Sequence, residues 1–177
     1  MKKIELIWRD LLNEFGVSTI KACSLDKRND GTEIFLSESL KKAVNFDDVA
    51  RDKADKLLQV QTPKSVDCLY LENGKLSLVE FKNKKRIEGR EKENIKLKFH
   101  DTLVLLNYLY EFDRSDYSKI ELILVKKRKE KQVIDEFERN MDLASKSSCP
   151  DWLKFIEKTY GIKISMMHQD EYSKRVG

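Results

Sequence analysis

Asp67, Glu80 and Lys82 are the residues whose types and spacing could support a chemical step. Two carboxylates suit a hard cation such as Mg²⁺, which typically binds one or two carboxylates together with waters and substrate phosphate. Such a cation lowers the pKa of a bound water and stabilises charge on phosphate oxygens. A lysine beside it could hydrogen-bond the attacking water or the phosphate as a compact charge. The combination therefore predicts hydrolysis of a phosphate ester.

A β-hairpin would bring these three side chains to one face of a sheet. Asn73-Gly74 is the strongest short-range signal for a two-residue turn, and strand-compatible residues flank it on both sides. With this turn, Asp67 faces Glu80, and Lys82 points to the same side because side chains alternate along a strand. Two facing anions destabilise a sheet. We therefore expect a cation between the two carboxylates.

Asp67, followed after twelve residues by Glu80-Phe81-Lys82, resembles the PD-(D/E)XK nuclease superfamily, which has the restriction-endonuclease-like fold. The order of strand, helix and strand across residues 33 to 126 is also similar to the order of elements in this superfamily. Pro63 stands four residues ahead of Asp67, whereas the family pattern has a proline just before the first acid. The resemblance implies that Asp67 and Glu80 bind Mg²⁺ or Mn²⁺ and that Lys82 orients the nucleophile or the phosphate.

The same resemblance implies two further site residues. The family places a polar residue on the helix after the hairpin, and we assign Lys98, in preference to His100, to contact phosphate. The alternative for Lys98 is a solvated helix face. The family also places a metal-binding acid on the helix before the hairpin, where Glu38 is the best-placed candidate. Its rivals are Asp47, Asp48 and Asp55.

A basic loop after the hairpin is a second candidate for contact with nucleic acid. It carries Lys84, Lys85 and Arg86, which together with Lys98 would bind phosphates. Acidic residues interleave with these cations, so a solvated loop is the alternative. Glu80 and Lys82 could likewise be an ordinary ion pair at a solvated strand end. Against this alternative, the apolar run from Leu76 to Phe81 indicates a strand that is buried on at least one face.

Composition sets the limits of these predictions. The chain has 177 residues, 37% of them charged, and a net charge of +4, which permits a nucleic-acid partner without requiring one. The three cysteines are far apart and form no CxxC motif, which predicts reduced thiols and a cytoplasmic protein. No apolar run reaches the length of a bilayer span, so we expect no membrane association. Walker A and GxGxxG motifs are absent from the sequence, which argues against nucleotide binding.

Hydrophobic periodicity predicts a chain of mixed helices and strands. The resemblance implies that they form an α/β (α+β) fold with a central mixed β-sheet flanked by helices and a restriction-endonuclease-like core. A single domain of residues 1–177 would comprise an N-terminal helix and loop (1–31), a nuclease-like core (32–129), and C-terminal helices with a last strand (130–177). Helices are expected at 3–15, 37–59, 92–112, 130–146 and 150–160, a polar loop at 24–31, and strands at 119–125 and 162–166. Residues 32–36 are either a short strand or the entry to the next helix. Residues 56–61 could instead be the first strand of a meander.

These observations together predict a metal-dependent enzyme that hydrolyses DNA phosphodiester bonds, for example in phage defence or a mobile element. The first alternative is a non-catalytic member of the same fold that binds nucleic acid or protein. An unrelated small α+β interaction protein is the second alternative. The expected partners are DNA and either a second copy of the chain or another protein.

Overall fold

A computed structural model describes residues 3–27, 30–58, 61–127 and 149–177. The described strands are β1 (Ser18–Thr19), β2 (Leu25–Lys27), β3 (Glu33–Phe35), β4 (Lys42–Asn45), β5 (Cys68–Glu72), β6 (Lys75–Lys82), β7 (Ile120–Lys126) and β8 (Lys163–His168). The described α-helices are α1 (Lys3–Phe15), α2 (Ile20–Cys23), α3 (Phe46–Lys53), α4 (Arg90–Tyr110), α5 (Arg114–Tyr117), α6 (Lys154–Tyr160) and α7 (Gln169–Val176). A π-helical turn, Ala54–Leu58, extends α3, and a 3₁₀ turn, Asp151–Leu153, precedes α6.

The main sheet has six strands in the order β1-β4-β5-β6-β7-β8. Pairing is antiparallel from β1 to β6 and parallel from β6 to β8. The separate pair of β2 and β3 is antiparallel. The predicted fold class, a mixed sheet flanked by helices, is therefore confirmed. The change of direction at β6 makes this strand the junction between a meander and a helix-connected parallel unit.

The hairpin of β5 and β6 has the predicted register. Asn73 and Gly74 have positive φ angles of 49° and 71°, as a type I′ turn requires. Glu72 pairs with Lys75 and Cys68 pairs with Val79. Asp67 differs in one detail from the expectation, because it lies one residue before β5 and is outside the hydrogen-bonded ladder. The hairpin still directs Asp67 toward the end of β6.

The central strands are buried because helices cover both faces of the sheet. Every residue of β6 from Leu76 to Phe81 is buried, as is every residue of β7 from Ile120 to Val125. One face packs against α1 and α4 through a core that includes Ile4, Ile7, Leu78, Phe99, Leu103 and Leu122. The other face packs against α2 and α7 through a core that includes Ile20, Cys68, Val79, Phe81, Ile123 and Tyr172.

The helix predicted for residues 37–59 is wrong in its first part. Residues 42–45 form β4, which lies between β1 and β5 in the sheet. Ala43 and Val44 are fully buried, so packing on both faces and pairing with two neighbours override the local helical signal. The alternative of a strand at 56–61 is also wrong for residues 56–58, which belong to the π-helical turn. The first strand of the meander is therefore β4.

The polar loop predicted at 24–31 is partly a strand. Leu25–Lys27 pairs with β3 as a short ribbon whose polar side chains stay exposed, so its composition resembles that of a loop. The expected helices at 3–15, 92–112 and 150–160 and the strands at 119–125 and 162–166 are observed within a few residues, and the strand is the alternative observed for residues 32–36. The helix predicted at 130–146 lies outside the described residues. Helix α7 was not predicted.

The N-terminal helix α1 is an integral part of the core. Its apolar stripe places Ile4, Ile7 and Leu11 in the packed interior, and the same N-terminal segment contributes β1 to the main sheet. Over the four described ranges, no helix is both long enough and apolar enough to cross a bilayer.

The turn between β5 and β6 generates a stability prediction. Gly74→Ala should lower the free energy of unfolding by about 1 kcal/mol, because a side chain disfavours positive φ. A Cβ at Gly74 would meet no atom within 4 Å, so the cost is conformational and not steric. Asn73→Gly is the matched control and should change stability less. Urea denaturation measures both, and an unchanged midpoint for Gly74→Ala would contradict the assigned turn.

Candidate active site

Three elements bring four charged side chains together at the carboxyl end of β6. Asp67 lies just before β5, Glu80 and Lys82 lie on β6, and Lys98 lies on α4. The side chain of Glu80 is fully buried, whereas those of Asp67, Lys82 and Lys98 are 20%, 21% and 22% exposed. The cluster therefore has a buried floor and a partly open rim.

Lys98 is the cation between the two carboxylates. Its Nζ atom lies 3.0 Å from Asp67 Oδ1 and 2.9 Å from Glu80 Oε2. The hairpin register predicted that a cation would separate these anions, and in this structure the cation belongs to the chain itself. The two carboxylate oxygens converge on a single point.

The other oxygen of each carboxylate is held by the hairpin. Asp67 Oδ2 accepts a hydrogen bond of 2.6 Å from the backbone N–H of Phe81. Glu80 Oε1 lies 2.5 Å from Lys82 Nζ. Asp67 thus has one oxygen fixed by β6 and one turned toward Lys98, whereas Glu80 Oε1 accepts no hydrogen bond from the described residues and has only its ion pair with Lys82. Lys82 lies on the same side as Glu80, as the alternation of side chains predicted.

Helix α4 holds the segment that carries Asp67. The backbone N–H of Lys64 donates to Asp101 Oδ2 at 3.2 Å, and the N–H of Val66 donates to Thr102 Oγ1 at 3.1 Å. Lys98, Asp101 and Thr102 have the i, i+3, i+4 spacing of one helix face. One face of α4 therefore supplies the bridging lysine and also positions the acid that the lysine contacts.

The electrostatics of the cluster raise the pKa of Glu80 and keep Lys98 charged. Burial raises the pKa of Glu80 to about 7, and the charge of Asp67 adds to this rise, whereas Lys98 and Lys82 oppose it. Burial alone would lower the pKa of Lys98, but the charges of Glu80 and Asp67 outweigh burial and raise it. The lysine thus stays cationic at neutral pH, while the ionisation of Glu80 is finely balanced.

Two clefts open beside the cluster. The larger, about 510 Å³, is lined by Asp67, Asp47 and Lys82 together with residues of α2, β2 and the loop after β6. The smaller, about 380 Å³, is lined by Asp47, Arg51, Thr62, Pro63, Lys64, Ser65, Lys82, Asn94 and Lys98. Asp47 and Lys82 line both clefts. The cluster therefore lies where the two clefts meet.

Glu38, predicted as the metal-binding acid of the preceding helix, lines neither of the two clefts. It is in the loop between β3 and β4 and not on a helix. Its side chain is 73% exposed and forms an ion pair of 2.5 Å with Lys21. The residues before β4 form no helix because β4 enters the sheet at Lys42.

Asp47 is the rival acid that the structure brings closest to the cluster. It lies in the first turn of α3, lines both clefts, and accepts a hydrogen bond from Ser65 Oγ. Asp48 is paired with Arg51 at 3.3 Å, and Asp55 is exposed on the π-helical turn. Asp47 is thus the candidate for a third acid at the rim of the site.

One of the three cations of the basic loop lines a cleft. Lys84 lines the larger cleft and lies 3.1 Å from Glu91, while Lys85 and Arg86 are exposed and line neither cleft. Two cations of the smaller cleft, Arg51 and Lys64, were not predicted. Arg51 lies four residues after Asp47 on α3, a spacing that places both on one helix face, so the sequence contained a signal for Arg51.

Comparisons with known proteins add no assignment. The sequence matches no protein-family model, and no curated protein or solved structure gives a significant match.

The raised pKa of Glu80 predicts the pH dependence of stability in metal-free protein. The folded state binds this proton more tightly than the unfolded state, so stability falls as pH rises from about 4.5 to about 7. Glu80→Gln should remove this decline and make the variant more stable than wild type at pH 8, on the order of 2 kcal/mol. Chemical denaturation between pH 5 and pH 8 measures the effect.

The matched control is Glu38→Gln, because that carboxylate is exposed, pairs with Lys21 and lines neither cleft. This variant should retain the pH profile of the wild-type protein. A Glu80→Gln variant that is less stable than wild type at pH 8 would contradict the prediction. It would show that the two lysines stabilise the ionised carboxylate by more than burial destabilises it.

Proposed function

We propose that this chain is a metal-dependent nuclease that hydrolyses phosphodiester bonds of DNA. The observation that carries the proposal is the convergence of Asp67 Oδ1 and Glu80 Oε2 on one cationic atom, with Lys82 on the other oxygen of Glu80. This is the grouping that the resemblance to PD-(D/E)XK nucleases implies. It lies where two clefts meet, so a chain of phosphates could reach it.

The donor set suits Mg²⁺ or Mn²⁺. Both ions prefer oxygen ligands, and Mg²⁺ is usually held by one or two carboxylates while waters and substrate phosphates complete its shell. Asp67 and Glu80 would supply the two carboxylate oxygens, and Asp47 at the rim could contact a metal-bound water. When bound, the ion would lower the pKa of a water and stabilise charge on the phosphate.

The residues of the chain have separable tasks in this proposal. The backbone N–H of Phe81 orients Asp67 by holding Oδ2, which directs Oδ1 into the site. Lys82 forms an ion pair with Glu80 Oε1, and because its side chain is 21% exposed it would be able to donate to an attacking water or a phosphate oxygen. Attack by water forms one P–O bond and breaks another, which leaves a phosphate monoester and a hydroxyl group. Lys82 would stabilise the charge that develops on the phosphate.

A non-catalytic binding protein of the same fold is the second candidate, and one observation favours it. Among the residues that the structure describes, no group of three or more His, Cys, Asp or Glu side chains is arranged to hold a metal ion. The carboxylates already have Lys98 as a cation, so the cluster is neutralised without metal. In this candidate, the lysines near the clefts bind nucleic acid or an acidic protein, and no bond is broken.

The proposal includes DNA as the partner and the cytoplasm as the location. The net charge of +4 permits a polyanionic partner, and three free cysteines suit a reducing compartment. Association with a second copy or another protein remains a prediction.

Substitutions of the two carboxylates test catalysis. With Mg²⁺ or Mn²⁺, purified protein should nick or cut DNA, and EDTA should stop the reaction. Asp67→Asn and Glu80→Gln should each lower activity by roughly 10²-fold or more, because the amides keep the shape but lose the charge that binds the cation. Lys82→Ala should retain metal binding and lose most turnover. Cleavage assays on supercoiled, linear and single-stranded DNA provide the measurement.

Asp151→Asn is the control for loss of a carboxylate, because Asp151 is 90% exposed and pairs with Lys154 outside the site. It should cleave like wild type. Equal activity in wild type and Lys82→Ala would indicate a contaminating nuclease. Absence of cleavage on every substrate would favour the binding candidate.

Replacement of the loop cations tests DNA binding separately from cleavage. The triple variant Lys84→Gln, Lys85→Gln, Arg86→Gln should bind DNA more weakly and with a shallower salt dependence, by roughly one unit of log–log slope per lost phosphate contact. Fluorescence anisotropy with Ca²⁺ across several salt concentrations measures the slope. Lys75→Gln with Lys163→Gln is the control, because both residues begin strands at the opposite end of the sheet. A slope equal to that of wild type would assign the loop to the solvated surface.

A further inference from the structure

Lys98 holds the position between the two carboxylates. Its Nζ atom contacts Asp67 Oδ1 and Glu80 Oε2 at 3.0 Å and 2.9 Å, and these are the oxygens that would bind metal under the proposed function. An ammonium group and a divalent cation at one point would repel each other strongly, because little water is present to screen the charges. Occupation by one therefore requires displacement of the other.

We propose that Lys98 is a displaceable internal counter-cation. It neutralises the carboxylates in metal-free protein, competes with the divalent cation for them, and on displacement provides its charge to the smaller cleft. The inference rests on the proposed function, because it concerns the same metal site.

The environment of Lys98 allows this movement. Its side chain is 22% exposed and already lines the smaller cleft, so the ammonium has accessible space beside it. Four rotatable methylene groups give lysine a long and flexible stem. In the absence of any cation, two carboxylates would face each other in a poorly solvated position, which is strongly unfavourable. Lys98 thus makes the metal-free protein stable without sealing the site.

The smaller cleft is a suitable destination for the displaced charge. Arg51, Lys64 and Lys82 line it together with Lys98, and Asp47 is the acidic residue among its lining residues. The phosphate of a nucleic-acid strand is the anion that this set of cations fits. Metal binding would free Lys98 to contact such a phosphate, so each ligand would increase the affinity for the other. Thermodynamic linkage requires this coupling to be reciprocal.

Metal binding by a Lys98 variant tests the competition. Lys98→Met keeps a similar apolar stem and removes the charge. Mn²⁺ should therefore bind to this variant about tenfold more tightly than to the wild-type protein. The free Mn²⁺ signal in electron paramagnetic resonance measures both affinities. Lys96→Met is the matched control, because Lys96 is on the same helix and pairs with Glu93 away from the carboxylates. Its Mn²⁺ affinity should equal that of wild type.

The outcomes separate this inference from the proposed function. If wild type binds Mn²⁺ and Lys98→Met binds it equally or more weakly, the counter-cation role is overturned and the nuclease proposal stands. If neither protein binds Mn²⁺, the metal site is wrong and both proposals fall. If Lys98→Met binds Mn²⁺ and the wild-type protein does not, the counter-cation role is supported. This result would also explain an absence of metal-dependent activity in the wild-type protein.

A second measurement uses wild-type protein and does not depend on the folding of a variant. An amine-reactive N-hydroxysuccinimide ester labels exposed lysines, and mass spectrometry reports the modified fraction of each. Labelling of Lys98 should increase severalfold with Mg²⁺, because the amine leaves the carboxylates, while labelling of Lys96 stays constant. A nuclease-resistant phosphorothioate oligonucleotide should then reduce the labelling of Lys98. Unchanged labelling of Lys98 at saturating Mg²⁺ would overturn the inference.

Discussion

The contact of Lys98 with two carboxylates is the interaction on which the arrangement of the site depends. Glu80 is the fully buried acid of a central strand, and a buried carboxylate without a partner would be strongly destabilising. The structure resolves this conflict by placing lysines on both of its oxygens. One of these lysines, Lys98 on α4, also reduces the repulsion between Glu80 and Asp67. A sheet, a hairpin and a helix thus meet at a single charged point.

The hairpin was the most predictable part of the molecule. Asn73-Gly74 determines the turn through the positive φ angles of both residues, and the turn determines the register. From the register alone, Glu80 and Lys82 could be assigned to one side and Asp67 to their neighbourhood. Local sequence was sufficient because the information lies within the sixteen residues from Asp67 to Lys82.

The elements around the hairpin were less predictable because their structure depends on distant partners. Residues 42–45 form a strand because they pair with β1 and β5, and their own sequence does not reveal this pairing. The placement of Glu38 failed for the same reason, since it assumed a helix that the sheet replaces. Arg51 and Lys64 reach the smaller cleft through tertiary packing. The position of Lys98 on the helix after the hairpin was anticipated, but its two carboxylate partners were not.

The attachment of Asp67 to α4 has a mechanical consequence. Thr102 and Asp101 hold the backbone just before Asp67, and Lys98 projects from the same helix face. Asp67 is also held by the sheet, because the backbone N–H of Phe81 on β6 donates to its Oδ2 atom. A shift of α4 relative to the sheet would therefore pull on Asp67 from two sides and change the distances from Lys98 Nζ to both carboxylates. The spacing between α4 and β6 thus sets the geometry of the whole cluster.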